Sequence, residues 1–415
     1  MRADLLRADR AYVRVKMNKM MKPTQAVNRK IVIWGRDHYN LLGILRQLVP
    51  YGLDVEVLFV SPLNGCTRYS KYCKKYRIFD NPQEILTYLL SNYQDEQEKP
   101  ILIVHSDEYA EIIDLHRADL SSYFILSGTT RQGLLTQVQN KNEMVKLAQE
   151  CGFTVPRSMS MDIDTDISTI PLPCFVRSAL NTPSVSWNGR EKCETQEEVS
   201  QIQRDLLKED RLIVSEYIPK EFEILVIGVR FHDGSLYVPG CLIRDRWLAG
   251  DSGSGSHGLV TPEIPSYINV DAIRLILEKI DYCGQFSVEY GILNDVAYFY
   301  EVNLRNDGTS DYFNQCGANT NLAWVYDCCG LDKKDICVPV KKPVFMINEI
   351  QDLNNIKEKR ITLNEWMRQW KEAQVYVYWN RHDMMPYFVM MHKYLQLWRI
   401  PKRVYNRLKR LFVKR

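Results

Sequence analysis

Glu301-Val-Asn-Leu-Arg305 closes an apolar strand with a carboxylate, an amide and a guanidinium at alternate positions. Side chains alternate faces along a strand, so Glu301, Asn303 and Arg305 point one way while Tyr300, Val302 and Leu304 point the other. Glu289 lies on the strand before it. The two carboxylates come opposite each other only if the connecting loop has an odd number of residues. A three-residue loop Asn294-Asp295-Val296 does this, whereas a two-residue Asn-Asp turn would put them on opposite faces. Glu289, Glu301 and Asn303 converging on one patch would suit Mg²⁺, a hard cation that takes oxygen ligands and shares phosphate oxygens. Arg305 would hold a phosphate or carboxylate by a two-pronged contact. The alternative is a solvated polar face of an edge hairpin.

The elements that must position this patch are legible as alternating patterns. Ile31–Trp34, Val55–Val60 and Ile101–Val104 are short apolar strands. Helical spacing follows over Tyr39–Val49 and from Asn81-Pro82 to about Tyr93, and Ser106 precedes a helix read over Glu111–Arg117. Strand–helix alternation implies a parallel sheet covered by helices. Gly35 turns the chain as in dinucleotide binders, but GxGxxG is absent. Further on, Lys141–Cys151 is a helix stopped by Gly152, Cys174–Ser178 and Val185–Trp187 are strands, and Thr195-Gln-Glu-Glu198 is a capping box. Arg211–Tyr217, Phe222–Arg230, Phe286–Leu293 and Val296–Asn303 are strands, and Asp271–Ile280 is a helix. Residues 250–258 read as a flexible Ser/Gly loop in which His257 is solvated. Arg244 and Arg246 before it would bind an anionic substrate, or else are surface strand charges.

Glu289 together with Glu301-Val-Asn-Leu-Arg305 resembles the metal-binding signature of the ATP-grasp superfamily, and other segments fall in that superfamily's order. Residues 140–156 resemble the helix opening its central domain, Pro173–Arg177 a phosphate-binding strand, and Ile213–Glu223 the strand and hinge that grip adenine and ribose. The resemblance covers roughly residues 31 to 335 and lies nearest the D-aspartate ligase-like and polysaccharide-biosynthesis carboxylate–amine ligases, through Arg68–Tyr72 and an aromatic-rich C-terminal extension. It implies an α/β and α+β architecture: an N-terminal parallel-sheet domain, a small lid and a C-terminal ATP-binding domain. It also implies that Lys141 and Arg177 contact ATP phosphates, that Glu216, Tyr217 and Ile218 supply the adenine hinge, and that Glu221 accepts from ribose hydroxyls. Glu289, Glu301 and Asn303 would hold Mg²⁺, and Arg305 would stabilise the transferring phosphoryl group. The chain departs from the family in having Arg177 where lysine is usual, followed by a glycine-free loop, residues 178–186, instead of a glycine-rich lid. The implied activity is an ATP-dependent carboxylate–amine ligation through an acyl phosphate, acting on a small carboxylate and an amine of a cell-envelope or polysaccharide precursor. A non-catalytic nucleotide-binding or scaffold subunit, and a kinase of small hydroxylated molecules, are the competing readings.

Domain boundaries follow from these segments: a basic leader over 1–30, the parallel-sheet domain over 31–135, linker helix and lid over 136–212, the ATP and Mg²⁺ region over 213–340, and the extension over 341–415. Hydrophobic residues at 45% and charged residues at 25% are ordinary for a globular chain, and a net charge of +3 is too small to argue for a nucleic-acid partner. The eleven cysteines include no CxxC pair, which points to free thiols in a reducing cytoplasm. No apolar run approaches the length of a membrane span. From Lys402 on, Val404, Tyr405, Leu408, Leu411 and Phe412 recur at helical spacing among seven Lys/Arg. This reads as a basic amphipathic helix that would touch an anionic membrane from the cytoplasmic side, or else as a packing or solvated terminal helix.

Overall fold

The computed structural model describes residues 26–179, 190–206, 211–247 and 255–395. The segments read as strand Val185–Trp187, the glycine-free loop beyond Ala179 and the basic helix from Lys402 lie outside the described residues.

The first apolar runs form a parallel sheet. Its strands are β1 (Ile31–Arg36), β2 (Val55–Val60), β3 (Lys75–Phe79), β4 (Ile101–Val104) and β5 (Ile125–Leu126), in the order β3-β2-β1-β4-β5. Apart from Arg36 and Glu56, the inner strands β1, β2 and β4 are apolar and buried, because both faces of the sheet are covered. The edge strand β3 escaped the pattern: it is mostly exposed, and its basic residues pair across to Asp54 and Glu56 on the β2 side. Helices α1 (Tyr39–Leu48), α2 (Pro82–Asn92) and α3 (Asp107–Leu115) connect these strands. The third begins at Asp107 and not at Glu111, because the Ser106 hydroxyl directly before it accepts from the Tyr109 amide. Strand order reverses between β1 and β4, so the chain leaves their carboxyl ends in opposite directions and opens a crevice there.

A short strand β6 (Gly128–Thr129) leads to α4 (Lys141–Glu150), which ends at Gly152 with φ 86°. The lid follows as an antiparallel sheet of β7 (Ser158–Met161), β8 (Cys174–Ser178), β9 (Arg190–Cys193) and β10 (Leu212–Glu216), in the order β7-β10-β8-β9. Helix α5 (Gln196–Arg204) opens on the expected Thr195–Glu198 capping box and buries Val199 and Ile202 against Cys174, Val176 and Val214.

The third sheet contains β11 (Phe222–Arg230), β12 (Leu236–Tyr237), β13 (Cys241–Trp247), β14 (Gly255–Thr261), β15 (Tyr282–Leu293), β16 (Val296–Asn303), β17 (Val344–Ile347) and β18 (Val375–Tyr376). The main path runs β16-β15-β11-β13-β14-β17-β18. Helix α6 (Val270–Lys279) packs Ile273, Ile276 and Leu277 on its apolar face. Helices α7 (Ser310–Gln315) and α8 (Thr320–Cys328) connect this sheet back to α1, with Leu322, Trp324 and Val325 packed against Leu41 and Leu45.

Residues 341–395 extend the same sheet through β17 and β18 and add α9 (Leu363–Glu372) and α10 (Met385–Leu395). A buried ion pair fastens them to the first domain: Arg46 Nε meets Asp383 Oδ2 at 3.1 Å, and Asp383 also accepts from Ser70 Oγ and the Lys71 amide. Two expectations fail in this region. Gly255–Gly258 is strand and not loop, and His257 is buried, with its Nδ1 2.7 Å from Asp245 Oδ1 and its ring stacked on Phe345. Sequence gave no warning, because Gly-Ser-His-Gly carries no apolar periodicity and is held only by its neighbours on either side.

Candidate active site

The β15–β16 hairpin turns at Asn294 and Asp295, both left-handed, with φ 51° and 59°. Leu293 pairs directly with Val296, so the turn has two residues and the expected three-residue loop is wrong. Asn and Asp tolerate this conformation better than other non-glycine residues. Yet Glu289 still pairs with Glu301. The odd residue sits further along: Phe299 opposes Tyr290 and Glu301 opposes Glu289, leaving Tyr300 as a bulge that shifts the register by one.

The bulge also moves Tyr300. Strict alternation sends it backward with Val302 and Leu304, which are indeed buried in the core. Instead its ring lies over Gly291, where any Cβ would collide with it, and Lys220 Nζ is 5.7 Å from the ring centre. Tyr300 therefore belongs to the same face as Glu289 and Glu301.

Charges alternate across that face. Arg244 on β13 is buried between Glu289 (3.3 Å) and Glu223 (3.4 Å), and Glu223 meets Lys220 at 2.6 Å. Burial opposes the charge on Arg244, but the carboxylates of Glu289 and Glu223 outweigh it and hold its pKa above the ordinary value. Glu289 is pushed up to about 7, chiefly by burial, with Arg244 opposing and Glu301 adding to the rise. On the next pair Asn303 donates to Ser287 Oγ (3.2 Å), and its Oδ1 accepts from Arg305 (3.0 Å). Among the described residues no group of three or more His, Cys, Asp or Glu has metal-holding geometry. The oxygen set here is two carboxylates and an amide.

Arg305 reaches across the domain seam. Its Nε and Nη2 grip the two oxygens of Asp107, in the first turn of α3, at 3.0 and 3.1 Å. Asp307 lies 3.7 Å from Nη1, and accepts from Ser287 and Thr309. Burial raises the Asp307 carboxyl while Arg305 and Arg244 outweigh it, so its pKa falls below the ordinary value. Two histidines at the carboxyl ends of β1 and β4 share this crevice. Burial, with Arg305 contributing, lowers His38 to about 4 and His105 to about 3, so both are neutral at pH 7. His105 Nε2 accepts from the Arg36 amide (3.0 Å), and no side chain would fit at Gly35 beside it. Sequence reading missed both histidines. Their one signal was position, His105 directly after β4 and His38 two residues past β1, the strands flanking the reversal in strand order.

The lid supplies the opposite wall. Arg177 on β8 places Nη1 3.9 Å from Glu301 Oε2, and its Nη2 donates to the Tyr300 carbonyl at 3.4 Å. Lys141 is buried at the start of α4, whose first amide donates to Ala179 at the exit of β8. Glu216 ends β10 paired with Arg157 (3.0 Å), the Tyr217 amide donates to Pro173, and Ile218 is buried. Glu221 accepts from the Asn294 amide at 3.1 Å and so supports the hairpin turn. Arg177 thus meets Glu301, which pairs across the hairpin with Glu289 and so with Arg244, and Asn303 and Arg305 form the adjoining pair along the same strand. Arg246 stands apart from them, gripping Asp352 at 2.9 and 2.6 Å and donating to Gln369, so it fastens β13 to the extension.

This succession of a parallel sheet, a small antiparallel sheet and a larger, mostly antiparallel one is shared with known structures. The N5-carboxyaminoimidazole synthetase of Staphylococcus aureus, solved with ADP, superposes with a TM-score of 0.61 at 14% identity, covering 81% of this chain and 87% of that one. The chain has the ATP-grasp fold. An L-amino acid ligase from Bacillus licheniformis superposes with a TM-score of 0.59 at 10% identity, over 77% and 80% of the two chains. In sequence, a D-aspartate ligase of Enterococcus faecium (strain Aus0004) is 24% identical over 308 residues, which is 68% of this chain and 72% of that protein. A formate-dependent phosphoribosylglycinamide formyltransferase of Syntrophotalea carbinolica is 25% identical over 225 residues, 52% of this chain and 55% of that protein. No family model matches the chain. The resemblance to D-aspartate ligase-like ATP-grasp proteins therefore holds.

Proposed function

We propose that this ATP-grasp protein is an ATP-dependent carboxylate–amine ligase that forms an amide through an acyl phosphate. The observation that carries the reading is the facing pair Glu289 and Glu301, with Arg177 of the lid on one side and Arg305 at the domain seam on the other.

In this reading ATP lies between lid and large sheet, its adenine on the backbone of Glu216, Tyr217 and Ile218 and its ribose at Glu221. Lys141 and Arg177 hold the phosphates. Glu289, Glu301 and the Asn303 oxygen fit Mg²⁺: Glu289 is driven up to about 7 by burial and by Glu301, and a cation between the two carboxylates relieves that repulsion. Mg²⁺, when bound, would neutralise charge on the phosphate oxygens. The substrate carboxylate attacks the γ-phosphorus and ADP leaves, while Arg305 and Arg177 stabilise the charge on the transferred group. The amine in its neutral form attacks the acyl carbon; the C–O bond to the phosphate breaks with its electron pair passing to the departing phosphate, and the proton released from nitrogen goes to that phosphate or to water. The neutral imidazoles of His38 and His105 keep the crevice free of extra cationic charge.

In this reading the anionic substrate meets the face that Arg244, Arg246 and Arg305 border, each of them already paired with a carboxylate: Arg244 with Glu289, Arg246 with Asp352 and Arg305 with Asp107. We read the amine as part of a cell-envelope or polysaccharide precursor; the likeness to a D-aspartate ligase supports an amino acid among the substrates. The cationic tail from Lys402 brings the enzyme to the inner membrane face where such precursors would be met. ADP release from ATP across a panel of carboxylates and amines tests the ligase reading. Release that requires both partners supports it, release driven by a hydroxyl compound without an amine would make the protein a kinase, and no release with any pair favours the scaffold reading.

A further inference from the structure

The arginines bordering the substrate face are each neutralised by a carboxylate, so none of them is an open donor for a further anion. His38 is one. It stands two residues past β1 and caps α1, its Nδ1 accepting from the Asn40 amide at 3.3 Å. A ring nitrogen that accepts carries no hydrogen, so the neutral imidazole holds its proton on Nε2. No hydrogen bond from Nε2 is made among the described residues, and His38 is exposed. His105 beside it is buried and commits its Nε2 to the Arg36 amide.

The surroundings fix this donor. The His38 ring lies 4.1 Å from that of Tyr39 and stacks on that of His105 at 6.1 Å, and Thr67 Oγ1 donates to the His38 carbonyl at 3.0 Å. Asn40 Nδ2 donates to the carbonyls of His105 and Asn306 at 3.1 and 3.3 Å, and its Oδ1 accepts from Asn306, the residue after Arg305. The imidazole therefore sits at the seam that Arg305 crosses, near enough for the guanidinium charge to oppose its protonation. We propose that His38 Nε2–H donates a hydrogen bond to the carboxylate that the enzyme activates, holding one oxygen so that the other is turned toward the γ-phosphorus. This deepens the ligase reading and rests on it. A neutral donor suits the step. A cation bound to the attacking carboxylate would draw off the charge it needs, whereas an uncharged N–H orients one oxygen and leaves the other nucleophilic.

Two variants separate the donor from the helix cap. His38→Asn keeps a capping acceptor for the Asn40 amide but is too short to reach the Nε2 position, and His38→Gln carries an amide N–H to about that position. The full-length protein is assayed for hydroxamate with ATP, Mg²⁺ and hydroxylamine, using the common amino acids in their L and D forms as the carboxylates. With an acid that the wild type uses, His38→Asn should lower kcat/KM for that acid roughly tenfold while the KM for ATP and the melting temperature stay at wild-type values. His38→Gln should recover most of the loss. Wild-type kcat/KM for the acid in His38→Asn would overturn the proposal and leave the ligase reading standing. So would a loss shared equally by both variants and accompanied by a raised KM for ATP or a lower melting temperature, since His38 would then serve the nucleotide or the cap. A wild type that forms hydroxamate from none of these acids would instead overturn the proposal together with the reading it rests on.

Discussion

Glu289 faces Glu301 across a hairpin whose two-residue turn, taken alone, would have set them on opposite faces. One unpaired residue, Tyr300, corrects the register between the turn and the site. The bulge does two things at once. It aligns the carboxylates, and it swings the Tyr300 ring onto the working face above Gly291.

Glu301 is about a third exposed, at 31%, so its substitution should leave the fold intact. Glu301→Gln is expected to lower ADP formation by about two orders of magnitude, near the ~3 kcal/mol typical of a lost transition-state electrostatic contact. Steady-state ADP release and a thermal melt check both halves. Turnover equal to the wild type would remove Glu301 from the site.

Arg305 joins the third sheet to the first by a two-pronged grip on Asp107. Lysine cannot make both contacts. Arg305→Lys should therefore lower kcat/KM by roughly a hundredfold and destabilise the chain by about 1–2 kcal/mol, read by kinetics and urea titration. A variant with unchanged kcat/KM would show that the guanidinium serves the seam alone.

His105 should make stability depend on pH. Its folded pKa of about 3 is depressed from an ordinary 6.5, so between those values the unfolded chain binds the proton and the folded chain does not. Stability is fully present above 6.5 and declines as pH falls toward 3, by at most about 1.4 kcal/mol per pH unit. His105→Gln keeps an acceptor for the Arg36 amide but cannot titrate, so its urea midpoint should fall less between pH 7 and pH 5 than that of the wild type. An equal fall in both would exclude His105 as the source.

Asp383 is fully buried against Arg46 and links the C-terminal extension to the first domain. Asp383→Asn would leave Arg46 buried without its counter-charge, a loss of about 3–5 kcal/mol. Urea unfolding should show the drop. A midpoint within error of the wild type would mean that the backbone carbonyls of Val377 and Tyr378 alone satisfy Arg46.

Much of this was readable from sequence. Val55–Val60, Phe222–Arg230 and Val296–Asn303 follow the apolar patterns residue for residue, and the Thr195 capping box is formed as its spacing requires. The patterns failed where a neighbour, and not the segment itself, decides the outcome. β3 is a strand because β2 pairs with it along its length, with Asp54 and Glu56 meeting its basic residues, and β14 because β13 and β17 flank it. Within the site, types and spacing pointed to Glu289, Glu301, Asn303 and Arg305, but a bulge has no sequence signature that would place it at Tyr300. Arg246 illustrates the other limit: a cation beside the site is indistinguishable in sequence from one that meets Asp352, 106 residues away along the chain.

The central claim is an acyl phosphate, and hydroxylamine supplied in place of the amine tests it most directly. With ATP, Mg²⁺ and the correct carboxylate, the wild type should yield a hydroxamate in equal amount to the ADP released, and Glu301→Gln should yield almost none. Release of ADP without hydroxamate, across carboxylates that support turnover, would contradict the account.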